Sequence, residues 1–425
     1  MDIRQIETIL TDQKEELQHL MKQSFCRRRE EDLIDLHSSM AQVVIGVRRS
    51  GKSTLCLNAL KHAEVKFAYI NFDDENFAAI TAADLNTMLE VLYKIYGDFQ
   101  HLFIDEIQNV GEWYLFVNRL LRRGMHVVIT GSNAKLLSGE LATHLTGRYM
   151  PIELYPFSFA EYCELNKVGT DVRSTKETAF LRTAFDDYLH TGGFPELNKT
   201  KKHTAYISTL VKGILERDIR QRFKMRYANT FFLLADHLLN IVPAPIVTST
   251  LSKLFGIRSD HTTENYIGYL KQAYLLLGLQ KFSPKSRLRI YDEKCYPVDV
   301  ALMNKRPNAF AGENMGWRLE CVVFIELLRR CRDDQKDIYY YLDQSHEVDF
   351  VVCQGNVPLA AYQVAFDISH PKTRQRELAG LNVAAQKLHC SELWLITDHE
   401  QESVTLPCGA VAHVVTAYEW LLARS

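Results

Sequence analysis

The sequence predicts an α/β protein with a parallel sheet near its N-terminus, a helical middle and a second, smaller α/β region. Three observations predict it. Between residues 41 and 160, short apolar runs alternate with helix-length stretches, the pattern of a parallel sheet with helical crossovers. None of these runs alternates cleanly between apolar and polar, as expected when both faces of a sheet are covered. From about residue 310 the same alternation resumes after a long helical interval.

Taken in order, residues 2–36 are polar, charge-rich and free of Gly and Pro, and they predict an amphipathic helix. The run Arg27-Arg28-Arg29, followed by Glu30-Glu31-Asp32, is expected on its solvated face. Strands are predicted at Gln42–Gly46, Phe67–Phe72, Leu102–Asp105, Val127–Thr130 and Ile152–Leu154, with helices near 53–63, 83–97, 111–123 and 133–145. Residues 176–240 read as helical. Leu251–Phe255, the turn Gly256-Ile257-Arg258-Ser259 and Thr262–Gln272 have helix-turn-helix spacing. Strand-like runs at Leu275–Phe282 and Leu288–Tyr291 follow, with a wing at Ser283-Pro284-Lys285-Ser286, so the region is winged-helix-like. The last region predicts a helix at 313–331, strands at Ile338–Tyr341, Glu347–Val352 and Ala360–Ala365, a helix near 374–388 and a strand at Leu393–Thr397. The expected organisation is an N-terminal helical segment (1–36), a core (37–165), a helical and winged-helix region (166–300) and a C-terminal α/β domain (301–425).

Composition narrows the class. The 425 residues carry 50 Lys and Arg against 52 Asp and Glu, so the chain is not a basic nucleic-acid coat. The charge is uneven, however. Residues 201–290 hold 15 Lys and Arg against 5 Asp and Glu, which leaves 35 against 47 elsewhere. No stretch is apolar enough to span a bilayer, and the first residues have no apolar signal core. The nine cysteines are scattered without a Cys-x-x-Cys pair, which suits packed thiols in a reducing cytoplasm.

The chemistry begins at Gly46-Val47-Arg48-Arg49-Ser50-Gly51-Lys52-Ser53, which matches G-x-x-x-x-G-K-[ST] between an apolar strand and a helix. Glycines let the backbone N–H groups converge on phosphate oxygens, and the next helix adds its positive end. Arg48, Arg49, Ser50 and Thr54 are expected beside the phosphates, Lys52 on the β- and γ-phosphates, and Ser53 on Mg²⁺. Leu102-Phe103-Ile104-Asp105-Glu106 ends an apolar strand in two acids, which is costly without a task. Asp105 would hold the Mg²⁺ shell and Glu106 would polarise the attacking water. Ser132 or Asn133, after Val127–Gly131, would sense the γ-phosphate or orient that water. Arg148 is a candidate arginine finger, in cis or from a neighbouring subunit. Residues 67–72 and the helix after them fall between the phosphate loop and Asp105. That insertion is the arrangement of additional-strand P-loop NTPases.

On these runs the chain resembles prokaryotic AAA-superfamily ATPases that carry a C-terminal restriction-endonuclease-like domain. The resemblance extends through Ile129–Leu137, Gly147-Arg148, Tyr155–Phe159, Gly192–Glu196, Glu216–Ile219, Tyr269–Leu276 and Glu347–Phe350, covering about residues 35–400. It implies an AAA-type core, a middle winged helix and a nuclease-like terminal fold. Such a nuclease site needs an acid from the first helix, an acid on a strand and (Asp/Glu/Gln)-x-Lys on the next strand. Glu320 or Glu326 would supply the first acid and Asp349 the second. The third motif falls on Gln363-Val364-Ala365, so Ala365 stands where the lysine belongs and cleavage is not expected.

The basic middle carries Arg217, Arg220, Arg222, Lys224 and Arg226, then Lys253, Arg258, Lys271, Lys281, Lys285, Arg287 and Arg289. It suits DNA-backbone contact or a protein partner. The expected function is an ATPase, ATP and water going to ADP and phosphate, that acts as a nucleotide-driven switch or motor on DNA or a partner protein. The alternatives are an ATP-liganded regulatory or defence-system scaffold with little turnover, and an ATP-gated nuclease.

Overall fold

The computed structural model describes residues 1–132, 145, 147–171, 173–223, 225, 227–283, 293–306, 309–310 and 313–423. The expected helix at 133–145, the strand at Leu288–Tyr291, the wing from Pro284 onward, and Asn133, Lys224, Arg226, Lys285, Arg287 and Arg289 lie largely or wholly outside the described residues. The chain forms two compact units. The first comprises Met1–Tyr155 with Gln272–Tyr274; the second comprises Pro156–Lys271 with Leu275–Ser425.

Five parallel strands organise the first unit: β1 (Ala41–Ile45), β2 (Phe67–Asn71), β3 (His101–Asp105), β4 (His126–Gly131) and β5 (Tyr149–Glu153), in the order β2-β3-β4-β1-β5. Every residue of β1 and β3 is buried, which is why these strands are almost continuously apolar. Helices α1 (Ile3–Met21), α2 (Lys52–His62), α3 (Leu85–Tyr96) and α4 (Trp113–Arg122) cover the sheet. The core joins Val44, Leu55, Leu60, Tyr69, Phe103, Val128 and Leu154 to Leu17 of α1. The strand that separates β1 from β3 in space is β4. The stretch inserted between them in sequence forms β2, at the sheet edge.

Helix α1 buries Ile6, Ile9, Leu10, Gln13 and Leu17, a stripe at helical spacing. Gln13 accepts a hydrogen bond from the Asn71 N–H (3.0 Å) and donates to the Asn71 carbonyl (3.0 Å) and to Asp74 (2.9 Å). It thereby covers part of the exposed edge of β2. The expected helix over 2–36 ends at Met21, and only a short 3₁₀ turn, Arg29–Leu33, follows. The reason is tertiary. Arg28 is extended (φ −108°, ψ 145°) and only 4% exposed, with its guanidinium turned inward. The basic run is therefore not a uniformly solvated face.

The second unit starts with helices at Phe159–Leu165, Thr175–Thr191, His203–Gly213, Ala228–Ile241, Thr248–Leu254 and Asp260–Gln272; a π-helical segment, Ile214–Gln221, extends the third. Strands β6 (Ala244–Pro245), β7 (Leu276–Gln280) and β8 (Glu293–Pro297) form an antiparallel sheet in the order β6-β8-β7. Sequence reading missed β8 because its Glu-Lys start hides four buried positions. Gly192-Gly193 has a structural cause. Gly192 is left-handed (φ +83°), and a Cβ there would lie 2.0 Å from Asp299 Oδ1. Asp299 accepts hydrogen bonds from the Gly193 and Ala301 N–H groups, each at 2.8 Å.

A six-stranded sheet completes this unit: β9 (Asp337–Leu342), β10 (Glu347–Gln354), β11 (Val357–Val364), β12 (Glu392–Thr397), β13 (Glu402–Thr405) and β14 (Val411–Thr416), in the order β13-β14-β12-β11-β10-β9. Helices Met315–Asp333 and Pro371–Val383 accompany it, and a final helix spans Ala417–Leu422. β13 and β14 went unread because β13 is short, polar and mostly exposed, and β14 has exposed alternate positions. No helix among the described residues is long and apolar enough to cross a membrane.

Candidate functional site

The parallel register brings the C-terminal ends of β1, β3 and β4 side by side, and the polar strand-end residues meet there. After β1 the chain turns at Gly46 (φ +153°). A Cβ at that position would lie 2.1 Å from the Leu154 carbonyl oxygen, so only glycine fits. Arg49 (φ +69°) and Gly51 (φ +98°) continue the curl in the left-handed region, and α2 begins at Lys52. Left-handed turns opening onto a helix N-terminus are how backbone N–H groups are made to converge on an anion.

Lys52 is 4% exposed, and its ammonium donates to the Gly46 and Val47 carbonyls at 3.2 and 3.1 Å. It also stands 3.8 Å from Glu106. The Ser53 hydroxyl donates to Asp105 Oδ1 at 2.9 Å, and Thr130 donates to the same oxygen. Tyr69 donates to Asp105 Oδ2 at 3.3 Å. Burial and the neighbouring Glu106 charge push the Asp105 carboxyl up, against the pull of Thr130, Ser53 and Lys52. Burial would raise Glu106 too, but Lys52, Gln108, Ser132 and Arg48 outweigh it and hold that carboxyl below its ordinary value. The two acids are thus separated in role by their surroundings. Glu106 is the readily ionised one at the site, and Asp105 is the buried one paired with a hydroxyl.

Glu106 sits at a left-handed backbone position (φ +50°), and its N–H donates to the Thr130 hydroxyl at 3.0 Å. Gln108 donates to Glu106 Oε2 and lies 3.3 Å from the Ser132 hydroxyl, so it ties the acid to the end of β4. Sequence reading missed Gln108 as a site residue; its place two residues after the acid pair was the available signal. Arg48 is held by Asp73 (2.7 Å), Arg49 is exposed, and Thr54 lies in the first turn of α2. Ser50 is fully buried, and its hydroxyl has no hydrogen-bond partner among the described residues.

Arg28 was also missed. It donates to the Ser50 carbonyl (3.2 Å) and the Tyr155 carbonyl (2.8 Å), bracing the loop from behind. Nothing in its local sequence distinguishes it from Arg27 and Arg29.

Arg148 lies elsewhere. Its carbonyl accepts from the Ala41 N–H at 3.0 Å, at the start of β1, and its side chain is exposed. The phosphate loop follows the other end of β1. Five strand residues at about 3.3 Å each separate the two by about 16 Å. A finger acting in cis is therefore corrected: within its own chain Arg148 stands at the wrong end of the sheet.

In the second unit, Glu320, Asp349 and Gln363 come together at a cavity of about 690 Å³ that Ala365 also lines. Glu326 does not join them; it pairs with Arg329 (3.2 Å) and Arg330 (3.1 Å). Lys294, from β8, contacts the cluster and was not anticipated. In the basic segment, Lys271 is bound by Glu293, while Arg217, Arg220, Arg222, Lys253 and Arg258 are exposed. Thr263, in the first turn of the second helix of the helix-turn-helix pair, is fully buried and shares a hydrogen bond of 2.9 Å with Ser252.

Residues 38–163 match a family model described as an AAA domain, and residues 182–311 match one described as a domain of unknown function. The chain is 31% identical over 406 residues to an uncharacterized protein of Methanocaldococcus jannaschii, covering 92% of this chain and 90% of that one. It is 29% identical over 400 residues to an uncharacterized protein of Haemophilus influenzae, covering 90% of this chain and 94% of that one. Among solved structures, the Thermotoga maritima RuvB Holliday junction branch migration motor is similar at 16% identity and a TM-score of 0.30. It covers 62% of this chain and 87% of that one. The replication initiator DnaA bound to AMPPCP and single-stranded DNA is similar at 15% identity and a TM-score of 0.26, covering 60% and 86%. Overlays at these scores carry no functional argument. The 31% identity to the Methanocaldococcus jannaschii protein, over 90% or more of both chains, together with the AAA match, shows that this chain belongs to the same family of AAA-domain proteins.

Proposed function

We propose that the first unit binds ATP with Mg²⁺ and hydrolyses it, and that the chain works as a nucleotide-driven switch or motor. The carrying observation is the convergence of Lys52, the Ser53–Asp105 pair and the Glu106–Gln108–Ser132 triad at the ends of β1, β3 and β4. An all-oxygen pair of hydroxyl and carboxylate fits Mg²⁺, which prefers hard ligands and would neutralise phosphate charge when bound.

The loop N–H groups and the N-terminus of α2 would receive the phosphate oxygens. Lys52, now on two carbonyls, would turn its ammonium to the β- and γ-phosphates. Ionised Glu106 would accept a proton from water as the water oxygen attacks the γ-phosphorus and the bond to the bridging oxygen breaks, releasing ADP and phosphate. Gln108 and Ser132 would hold Glu106 and the water in line. Arg148 would act from a neighbouring copy. Asn133, outside the described residues, is proposed with Ser132 to sense the γ-phosphate or orient the water.

The helices at 248–254 and 260–272 followed by β7 and β8 support a winged-helix reading of the middle region. The exposed Arg217, Arg220, Arg222, Lys253 and Arg258 favour a second, additional reading: backbone contact with DNA. Buried Thr263 argues against base reading by that helix. The strands and long helix of the last region support a nuclease-like fold, and Ala365 at the lysine position disfavours an ATP-gated nuclease.

Phosphate release from wild type, Lys52→Ala and Glu106→Gln tests the proposal. Both variants should lose turnover, and Glu106→Gln should keep ATP binding. Absence of turnover in wild type, with and without DNA, would leave the liganded-scaffold reading standing instead.

A further inference from the structure

A nuclease-like site in the second unit would need a divalent cation among its acids. Four acids lie close together: Glu320 on the helix Met315–Asp333, Glu347 and Asp349 on β10, and Glu377 on the helix Pro371–Val383. At least one oxygen of each is already engaged by the protein. Glu377 receives the Arg376 guanidinium (2.5 Å) and the Gln363 amide (2.8 Å). Asp349 Oδ2 accepts the Val364 N–H at 2.8 Å, and the Asp349 N–H donates to Gln363 Oε1 at 2.7 Å. Glu320 Oε1 accepts the Tyr296 hydroxyl at 2.7 Å.

Part of the charge on the three acids other than Glu377 is met by Lys294. Its ammonium bonds Glu347, stands 3.6 Å from Glu320, and lies 5.5 Å from the centre of the Tyr340 ring. Lys294 is 7% exposed. Glu320 and Asp349 line the cavity, whereas Lys294 is not among its lining residues; it approaches the acids from behind, on β8. A buried lysine without counter-charges would be costly, and so would clustered carboxylates without a cation. Each resolves the other. A lysine placed to act on a phosphate would instead present its ammonium to the cavity.

We propose that the Lys294 ammonium supplies, from behind the acids, positive charge that a divalent cation would otherwise provide, so that this cavity is a metal-independent pocket. The chemistry lost from Ala365 is therefore not restored by Lys294. Lys294 compensates charge and holds β8 to β10 and the Met315–Asp333 helix. The inference rests on the nuclease-like reading only for the expectation of a metal, and it is independent of ATP hydrolysis.

Mn²⁺ titration of the nucleotide-free full chain, followed by the free-ion electron paramagnetic resonance signal, tests it. Wild type and Asp349→Asn should bind the same amount of Mn²⁺. Lys294→Met, which keeps much of the aliphatic stem but removes the charge, should gain about one Mn²⁺ per chain. The gain should vanish in the Lys294→Met, Asp349→Asn double variant and should not appear in Lys294→Arg. Wild-type Mn²⁺ binding that is lost in Asp349→Asn would overturn the proposal, whether or not Lys294→Met folds. So would a folded Lys294→Met that gains no Mn²⁺. Mn²⁺-dependent nicking of supercoiled DNA that disappears in both Asp349→Asn and Lys294→Met would show a working lysine and overturn it as well. Because no nucleotide is present, a failure here is distinguishable from a failure of ATP hydrolysis.

Discussion

Replacing Arg28 by Met removes a buried cation that holds two backbone carbonyls, Ser50 of the phosphate loop and Tyr155 just past β5, at 3.2 and 2.8 Å. Hydrogen bonds to charged groups contribute about 1.5–3 kcal/mol each, and an orphaned buried acceptor costs a similar amount. Methionine fills much of the same volume but offers no donor. Taking the lower bound for each bond, the first unit should lose about 3 kcal/mol. For a domain of this size, about 2–4 °C of melting temperature accompanies each kcal/mol, so its transition should fall by roughly 6–12 °C. Glu30, 3.9 Å from the guanidinium, would lose a neighbouring cation and add to the loss. Calorimetry of wild type, Arg28→Met and Arg28→Lys reads the shift, and ATP titration reads the loop. Arg28→Lys should fall between, since one ammonium cannot reach both carbonyls in the same planar fork. KM for ATP should rise more than kcat falls, because the loop would be less well formed before binding. If Arg28→Met melted within about 1 °C of wild type, outside this range, with unchanged KM, Arg28 would be an ordinary surface residue and the bracing argument would be wrong.

Other outcomes follow from the same geometry. Gly46→Ala should abolish ATP binding in an equilibrium titration, because its Cβ would fall 2.1 Å from a backbone carbonyl oxygen that cannot retreat; retained affinity would contradict that. Gln108→Leu should cut phosphate release about 100-fold while sparing KM, since it frees Glu106 and Ser132 without touching the phosphate loop. If DNA binds the second unit, log affinity should fall with log salt at a slope up to about −4.5 for the five exposed basic residues, and reversing Arg217 and Arg222 should flatten it. A salt-independent affinity would point to a protein partner. Arg148→Ala should leave nucleotide binding by a single copy intact, and light scattering with ATP should show whether its effect on turnover tracks self-association.

The phosphate loop was legible because its chemistry is local. Glycines, one lysine and one hydroxyl at fixed spacing between a strand and a helix specify a backbone shape within eight residues. Asp105 and Glu106 were legible for a related reason: acids ending a buried strand are too costly to be incidental. The positions of β1 to β4 could be read because strands buried on both faces leave unbroken apolar runs; β5 (Tyr149–Glu153), partly exposed, was read only at its end, Ile152–Leu154. β8, β13 and β14 were not, since a charged start or an exposed edge erases that contrast.

What the sequence determined by itself, then, is the α/β class and the phosphate-loop pattern from which the proposed phosphate and metal residues are read. Tertiary structure alone decided how they are arranged. Strand order put β4 between β1 and β3 and so set Thr130 and Ser132 beside the acids. Chain direction put Arg148 at the far end of the sheet. Arg28 and Lys294 became structural cations only because distant segments, Ser50 and Tyr155 in one case and Glu320 and Glu347 in the other, were folded onto them. The physical reason is range. Backbone curvature and strand burial are encoded over a few residues, whereas the partner of a buried charge is set by contacts across the chain, which spacing along the sequence does not reveal.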